Sequence, residues 1–122
     1  ADPRAVVADL RRLFGDGLWI DLQRHLDPAE ERVNRRLLAI AEACGVPVVA
    51  TNGVRHALPR GRALLDVLAC IREKTSLDRA GRVLARNAER HLKSPAEVAA
   101  LFRDLPQAIA ASERIAERCE FT

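Results

Sequence analysis

Aromatic residues are almost missing from this chain. They make up 3 %, so any core must be filled by the Leu, Val, Ile and Ala that dominate its 48 % apolar content. Cysteine is sparse too: Cys44, Cys70 and Cys119 lie far apart with no Cys-x-x-Cys pair. That pattern excludes a disulfide framework and reads as buried thiols in a reducing compartment. There is no apolar run of about eighteen residues and no signal-peptide pattern, so the expected setting is cytoplasmic, with no membrane partner. A Gly-rich phosphate loop, a Gly-x-Ser-x-Gly elbow and a recognisable Cys–His spacing are all absent, which removes the commonest nucleotide-hydrolysing and nucleophilic chemistries. The chain also lacks an initiator Met, and its abrupt start at Ala1 is what a piece of a longer polypeptide would give.

What is present is charge. Asp, Glu, Lys and Arg make up 30 % of the 122 residues, with a net charge of +3 and a pI near 9.1. That balance is compatible with a nucleic-acid partner and equally with the solvated faces of several helices. Arg11, Arg12, Arg35 and Arg36 fall on the polar sides of theirs. The length suits one domain, or a piece of one, with a real core.

Turn and cap chemistry divides the chain. Asp2-Pro3 opens a helix whose apolar positions are Val6, Val7, Leu10, Leu13 and Phe14, with Gly15 as its stop. Leu18 to Leu22 reads as a strand, with Leu18, Ile20 and Leu22 on one face and Trp19, Asp21 and Gln23 on the other. Asp27-Pro28-Ala29-Glu30 is a capping box opening a helix that ends at Gly45. The β-branched run Val46 to Ala50 is a second, buried strand. Strand, helix and strand make a parallel βαβ unit.

After Pro59 the sheet signal stops. Leu64, Leu65, Leu68 and Ile71 mark a helix ending near Lys74, and residues 75–90 read as loop. Ser94-Pro95-Ala96-Glu97 and Asp104-Leu105-Pro106-Gln107 are two more capping boxes. The second opens a helix with Ile109, Ser112, Ala116 and Cys119 along one side. The fold class is thus α/β, divided into residues 1–58 (helix, strand, helix, strand) and an all-helical segment, 59–122. Two parallel strands need neighbours to be stable, so more strands are expected from outside this sequence or from a second copy, with self-association at the uncovered edge.

Strand ends are where α/β sheets place chemistry. Asp21, Gln23 and His25 run off the first strand, and Asn52, Arg55 and His56 off the second. Parallel neighbours would bring an acid, two imidazoles and an amide to one rim, a donor set that suits zinc or manganese. Plain hydrogen bonding at strand ends is the simpler account of the same residues. His91, in Arg90-His91-Leu92-Lys93, reads as local packing or as a phosphate contact.

The stretch Ala50-Thr51-Asn52-Gly53-Val54-Arg55-His56 resembles the Ala-Thr-Asn-Asp-x-His-Tyr motif near the end of the PHP domain of bacterial DNA polymerase III alpha subunits. Asp21-Leu22-Gln23-Arg24-His25 looks like the family's Glu-(Leu/Ile)-Gln-x-His. Leu65-Asp66-Val67-Leu68-Ala69-Cys70-Ile71-Arg72 resembles the helix that follows. His91-Leu92-Lys93-Ser94-Pro95-Ala96-Glu97, Leu101-Phe102-Arg103-Asp104-Leu105-Pro106 and Ile115-Ala116-Glu117-Arg118-Cys119 resemble its last helices. Cys70-Ile71-Arg72-Glu73-Lys74-Thr75 and Asn87-Ala88-Glu89-Arg90-His91-Leu92-Lys93 are closer to the error-prone, damage-tolerant branch.

The resemblance implies the C-terminal part of a PHP-type distorted (βα)7 barrel, followed by helices leading towards a polymerase palm. It implies a parent that adds deoxynucleotides to a primer in damage-tolerant DNA replication and repair, using Mg in a two-metal nucleotidyl transfer. The palm carboxylates would lie outside this chain, which would hold no catalytic and no cofactor-binding residue. Some family members bind metal ions at the barrel rim. Of those ligand positions His25 is kept, whereas Gly53 stands in place of an Asp and Arg55 in place of a His. Neither can ligate, and Arg55 would repel a cation or replace it by pairing with Asp21 or another rim acid. His56 falls where the family usually has Tyr. The expected partners are the remaining PHP and polymerase domains, and DNA through the parent. The alternatives are a free-standing PHP metal-dependent phosphoesterase and a non-catalytic DNA- or protein-binding helical module.

Overall fold

Asp2 starts the first helix, α1 (Pro3–Phe14), by accepting the Arg4 backbone N–H at 3.0 Å, with Pro3 in the first turn. The structure is a computed structural model and describes residues 2–120. After a short 3-10 turn at Gly15–Gly17 come β1 (Ile20–Gln23), α2 (Pro28–Cys44) and β2 (Val48–Thr51). Next are α3 (Arg62–Arg72), α4 (Pro95–Leu101) and α5 (Pro106–Arg118). The fold is mixed α/β, with five helices and a two-stranded parallel sheet among the described residues. No helix there is long and apolar enough to cross a membrane. The chain divides into two compact units, one of residues 1–51 with 95–122 and one of residues 52–94.

In the first unit the βαβ reading holds, but each strand starts two residues later than the apolar runs imply. The cause is backbone donors. Val46 gives its N–H to Ala41 O at 2.9 Å, closing the end of α2, and Pro47 has no N–H to give. Pairing therefore begins where Ile20 N donates to Pro47 O at 2.9 Å, and the register runs Ile20↔Val48 to Gln23↔Thr51. Ile20 and Leu22 share a face with Val48 and Ala50, and all four join the core.

Asp27 caps α2, taking the Ala29 N–H at 2.9 Å, and Gly45 ends it in the left-handed region at φ 63°. A Cβ at Gly45 would sit 2.9 Å from Arg11 Nη1, but that flexible side chain can move aside, so the reason for glycine is the left-handed backbone. Asn34 is buried and donates to Gln23 O at 2.7 Å, tying α2 to the end of β1. Replacing Asp27 by Ala will lower stability by about 1 kcal/mol, measurable as a fall in urea midpoint; an unchanged midpoint would make the cap decorative.

The fifth helix departs from expectation. Its N-cap is Leu105, with no side-chain cap, because the Asp104 carboxylate is held by Arg24. Its buried face is Ala108 and Ala111, both 0 % exposed, rather than the stripe through Cys119, which is exposed. These two methyl side chains let α5 lie close on β2, next to Phe102 and Leu22, each 1 % exposed. The thiols are correspondingly mixed: Cys70 is buried, Cys44 half-buried and Cys119 exposed.

The second unit is thin in core, with Cys70 and Ala80 as its buried apolar residues. Its helix α3 stops at Arg72, two residues before Lys74, which takes φ 51°. Leu64, Leu68 and Ile71 on α3 are exposed. The stretch expected as loop is a series of hydrogen-bonded turns, including a 3-10 turn at Gly81–Val83. It ends in an isolated parallel bridge, His56↔His91, with Arg55 N donating to Arg90 O at 2.8 Å and Leu92 N to His56 O at 3.1 Å.

Candidate functional site

The loop leaving β1 carries the densest polar chemistry of the first unit. Arg24 is 13 % exposed and lies over the Phe102 ring, 4.9 Å from its centroid. Its guanidinium donates to Leu101 O at 2.7 Å and grips Asp104 with both terminal nitrogens, the Nη2–Oδ2 bond being 2.9 Å. Glu31 completes the grip: Arg24 Nη2 donates to its Oε1 at 3.4 Å, while Arg24 Nε lies 3.4 Å from Oε2 without hydrogen-bond geometry. The Arg24 hydrogen bond holds the Asp104 carboxyl below its ordinary pKa, and the same bond raises Arg24 above its own.

Beside this grip, His25 is 4 % exposed. Glu30 accepts its backbone N–H at 2.7 Å, and Glu30 Oε1 meets its Nδ1 at 2.7 Å. A carboxylate fixing an imidazole in this way is how proteins orient a ligating or proton-transferring histidine. Both groups line a cleft of about 610 Å³ with Leu26, Asp27, Glu31, Leu101 and Asp104. Sequence reading gave Glu30 and Asp104 to helix caps and did not single out Arg24 or Glu31. The signal for their shared role is three-dimensional, because Arg24 and Asp104 are 80 positions apart.

The other rim candidates separate into two groups. Asp21 has both carboxylate oxygens engaged on the exposed face of the sheet, by Thr51 Oγ1 at 2.7 Å and Gln23 Nε2 at 2.7 Å. In the second unit Asn52 donates to His91 O at 2.5 Å and Glu89 O at 3.3 Å, holding the bridge region together. His56 Nδ1 donates to Leu58 O at 2.9 Å, and His91 Nδ1 to Ala88 O at 3.0 Å. His91 is therefore part of a structural bridge. Lys93 is 4 % exposed at its side chain and reaches Glu89 Oε2 at 3.0 Å and Glu89 O at 2.6 Å.

The donor set does not fit a metal cluster. Among the described residues no three His, Cys, Asp or Glu side chains are grouped to hold an ion. Gly53 supplies no ligating atom and Arg55 supplies a cation. What the β1 loop offers chemically is a hydrogen-bonded charge network, built on one largely buried guanidinium, that ties the end of a strand to the α4–α5 junction.

No family model matches the chain. Curated proteins do. It is 50 % identical over 113 residues to an error-prone DNA polymerase of Rhodopseudomonas palustris, a match covering 93 % of this chain and 10 % of that protein. Error-prone DNA polymerases of Bradyrhizobium sp. and Anaeromyxobacter dehalogenans are 42 % and 45 % identical over 118 and 119 residues, covering 97 % and 94 % of this chain. The chain spans about a tenth of the length of the curated relatives it matches.

Proposed function

We propose that this chain is the C-terminal portion of a PHP-type domain in an error-prone DNA polymerase of the DNA polymerase III alpha class, and that it serves there as architecture. The observation that carries the reading is the match of nearly the whole chain, at 42–50 % identity, to a small part of proteins with that name. On this reading residues 1–58 complete a distorted barrel, and residues 59–122 lead towards the polymerase palm. The parent is a cytoplasmic nucleotidyltransferase of DNA replication and repair, dependent on Mg held by residues outside this chain. The partners of this portion are the rest of the PHP domain and the polymerase domains, with DNA reached through the parent.

The portion itself is a metal-free rim. His25 survives from the ligand set, but its Nδ1 faces Glu30 and the positions at Gly53 and Arg55 bring no ligating atom. The Arg24 network supports an architectural role, since its guanidinium joins the end of the first strand to the junction of the last two helices.

The test has two arms. Full-length protein containing this chain is expected to extend a primer with Mg, while the 122-residue chain alone extends none. The chain is also expected to purify with far less than one equivalent of Mn or Zn by elemental analysis and to show no phosphatase activity. Stoichiometric metal together with phosphoester hydrolysis would replace this reading with that of a phosphoesterase.

A further inference from the structure

Charge is not shared evenly between the two units. Residues 52–94 hold ten Lys and Arg against four Asp and Glu, a net +6, although the whole chain carries only +3. The remaining residues are therefore net negative, so the chain's mild overall basicity hides a strongly basic unit. Part of the excess has internal partners. Arg62 pairs with Asp66, Arg72 with Glu73 and Lys93 with Glu89. Arg55, Arg60, Lys74, Arg79 and Arg82 are exposed, and no carboxylate among the described residues pairs with any of them.

An exposed cation is usually just a solvated one. Here two further facts weigh against that. Three of the five project from fixed turns: Thr75 N bonds Cys70 O at 3.0 Å, Arg79 N bonds Ser76 O at 3.0 Å, and Val83 N bonds Ala80 O at 2.9 Å. The two buried apolar residues of the unit, Cys70 and Ala80, are acceptors in these bonds, so the cations are held on the best-packed backbone it has. A net charge of +6 on one compact unit also repels itself, and this unit has little core to offset the repulsion. A polyanionic partner removes that cost.

We propose that the exposed cations of residues 52–94, among them Lys74, Arg79 and Arg82 on their fixed turns, form a docking surface for the phosphate backbone of duplex DNA. The segment has no Phe, Tyr or Trp. It therefore lacks the stacking platforms by which proteins hold unpaired bases, and contact is by charge with the backbone, independent of sequence. The choice of DNA among polyanions rests on the polymerase reading above; the segregation of charge does not.

The test titrates the 122-residue chain against a labelled DNA duplex at several salt concentrations, with polyglutamate as competitor. The wild type is expected to bind with a log–log salt slope of about −4, reflecting some five phosphate contacts. Arg79→Ala with Arg82→Ala should make the slope shallower by about 2 units and weaken binding at low salt. Arg35→Ala with Arg36→Ala, exposed on α2, should change neither. Circular dichroism on each variant confirms an unchanged fold. Absence of salt-dependent binding, or a slope unmoved by Arg79→Ala/Arg82→Ala, overturns the proposal; so does competition by polyglutamate as effective as by duplex, which would make the partner an acidic polypeptide. Primer extension by the full-length protein alongside failed duplex binding by the chain would sink this surface while leaving the polymerase reading intact. The reverse result would sink the polymerase reading and keep the surface.

Discussion

Replacing Phe102 by Ala will cost about 3–5 kcal/mol, the largest loss expected from any single truncation in this chain. Phe102 is 1 % exposed, and among the described residues it is the largest side chain buried so deeply. Its neighbours cannot collapse into the gap easily. Ala108 is a methyl on a helix, and Ile20, Leu22 and Val48 are fixed by the ladder beneath them. The ring is also the platform under the Arg24 guanidinium, so its removal would strip packing from a half-buried cation. Small domains have total stabilities of about 5–15 kcal/mol, so this variant should be largely unfolded at modest urea. Phe102→Leu keeps most of the volume and should lose far less. A Phe102→Ala midpoint within the error of wild type would show that the core lies elsewhere.

The second large effect belongs to Arg24. Arg24→Met keeps the stem but removes the charge, and is expected to destabilise the chain by about 2 kcal/mol at neutral pH. That is less than a fully buried ion pair would lose, because the Asp104 side chain is 58 % exposed and water compensates part of the loss. The deletion also leaves Leu101 O without its donor. A pH dependence follows from the direction of the Asp104 shift. Its carboxyl titrates lower in the folded chain than in the unfolded one, chiefly through the Arg24 hydrogen bond. The resulting stabilisation is fully present above the ordinary carboxylate range and is lost as pH falls through the depressed value. Arg24 shifts upward, so its contribution is complete throughout the acid and neutral range and adds no acid limb. Urea midpoints of wild type and Arg24→Met should therefore differ most near neutrality and draw closer in strong acid, where the Leu101 O hydrogen bond and the contact with Phe102 remain. A gap that stays constant down to about pH 2 would mean that the Asp104 pairing contributes nothing and that only the Leu101 O hydrogen bond and packing on Phe102 matter.

Local grammar was legible in the sequence; long-range polar partnerships were not. Asp2, Asp27, Gly15 and Gly45 announce where helices begin and end, and the structure agrees to within a residue or two. The βαβ unit was legible because a strand that alternates, a capped helix and a β-branched run leave little else to build. The strand starts were misjudged because apolarity does not record which N–H groups are already committed, and those of Val46 and Pro47 decide the ladder. Asp104 looked like a cap for the same kind of reason: its spacing from Gln107 is a local pattern, whereas its partner Arg24 lies far away in the chain. The His56↔His91 bridge had no signal, since neither segment shows apolar alternation. Of the candidate site, His25 could be found by motif. Its fixing by Glu30 could not, because that Glu already had a plausible role in helix capping.

The sheet of the first unit is closed by a helix that lies beyond residues 52–94 in the chain. On a ribosome this imposes an order of events. While β1, α2 and β2 are already outside the tunnel, Ile20, Leu22, Val48 and Ala50 have only the cover that α1 and α2 give, and the part contributed by Phe102 and Ala108 is missing until the last helices have been translated. At about 5–20 residues per second that wait lasts several seconds. The nascent chain must pass through it with an apolar surface open to other chains. Chaperone dependence during synthesis, rather than instability of the finished protein, is then the vulnerable step of this design.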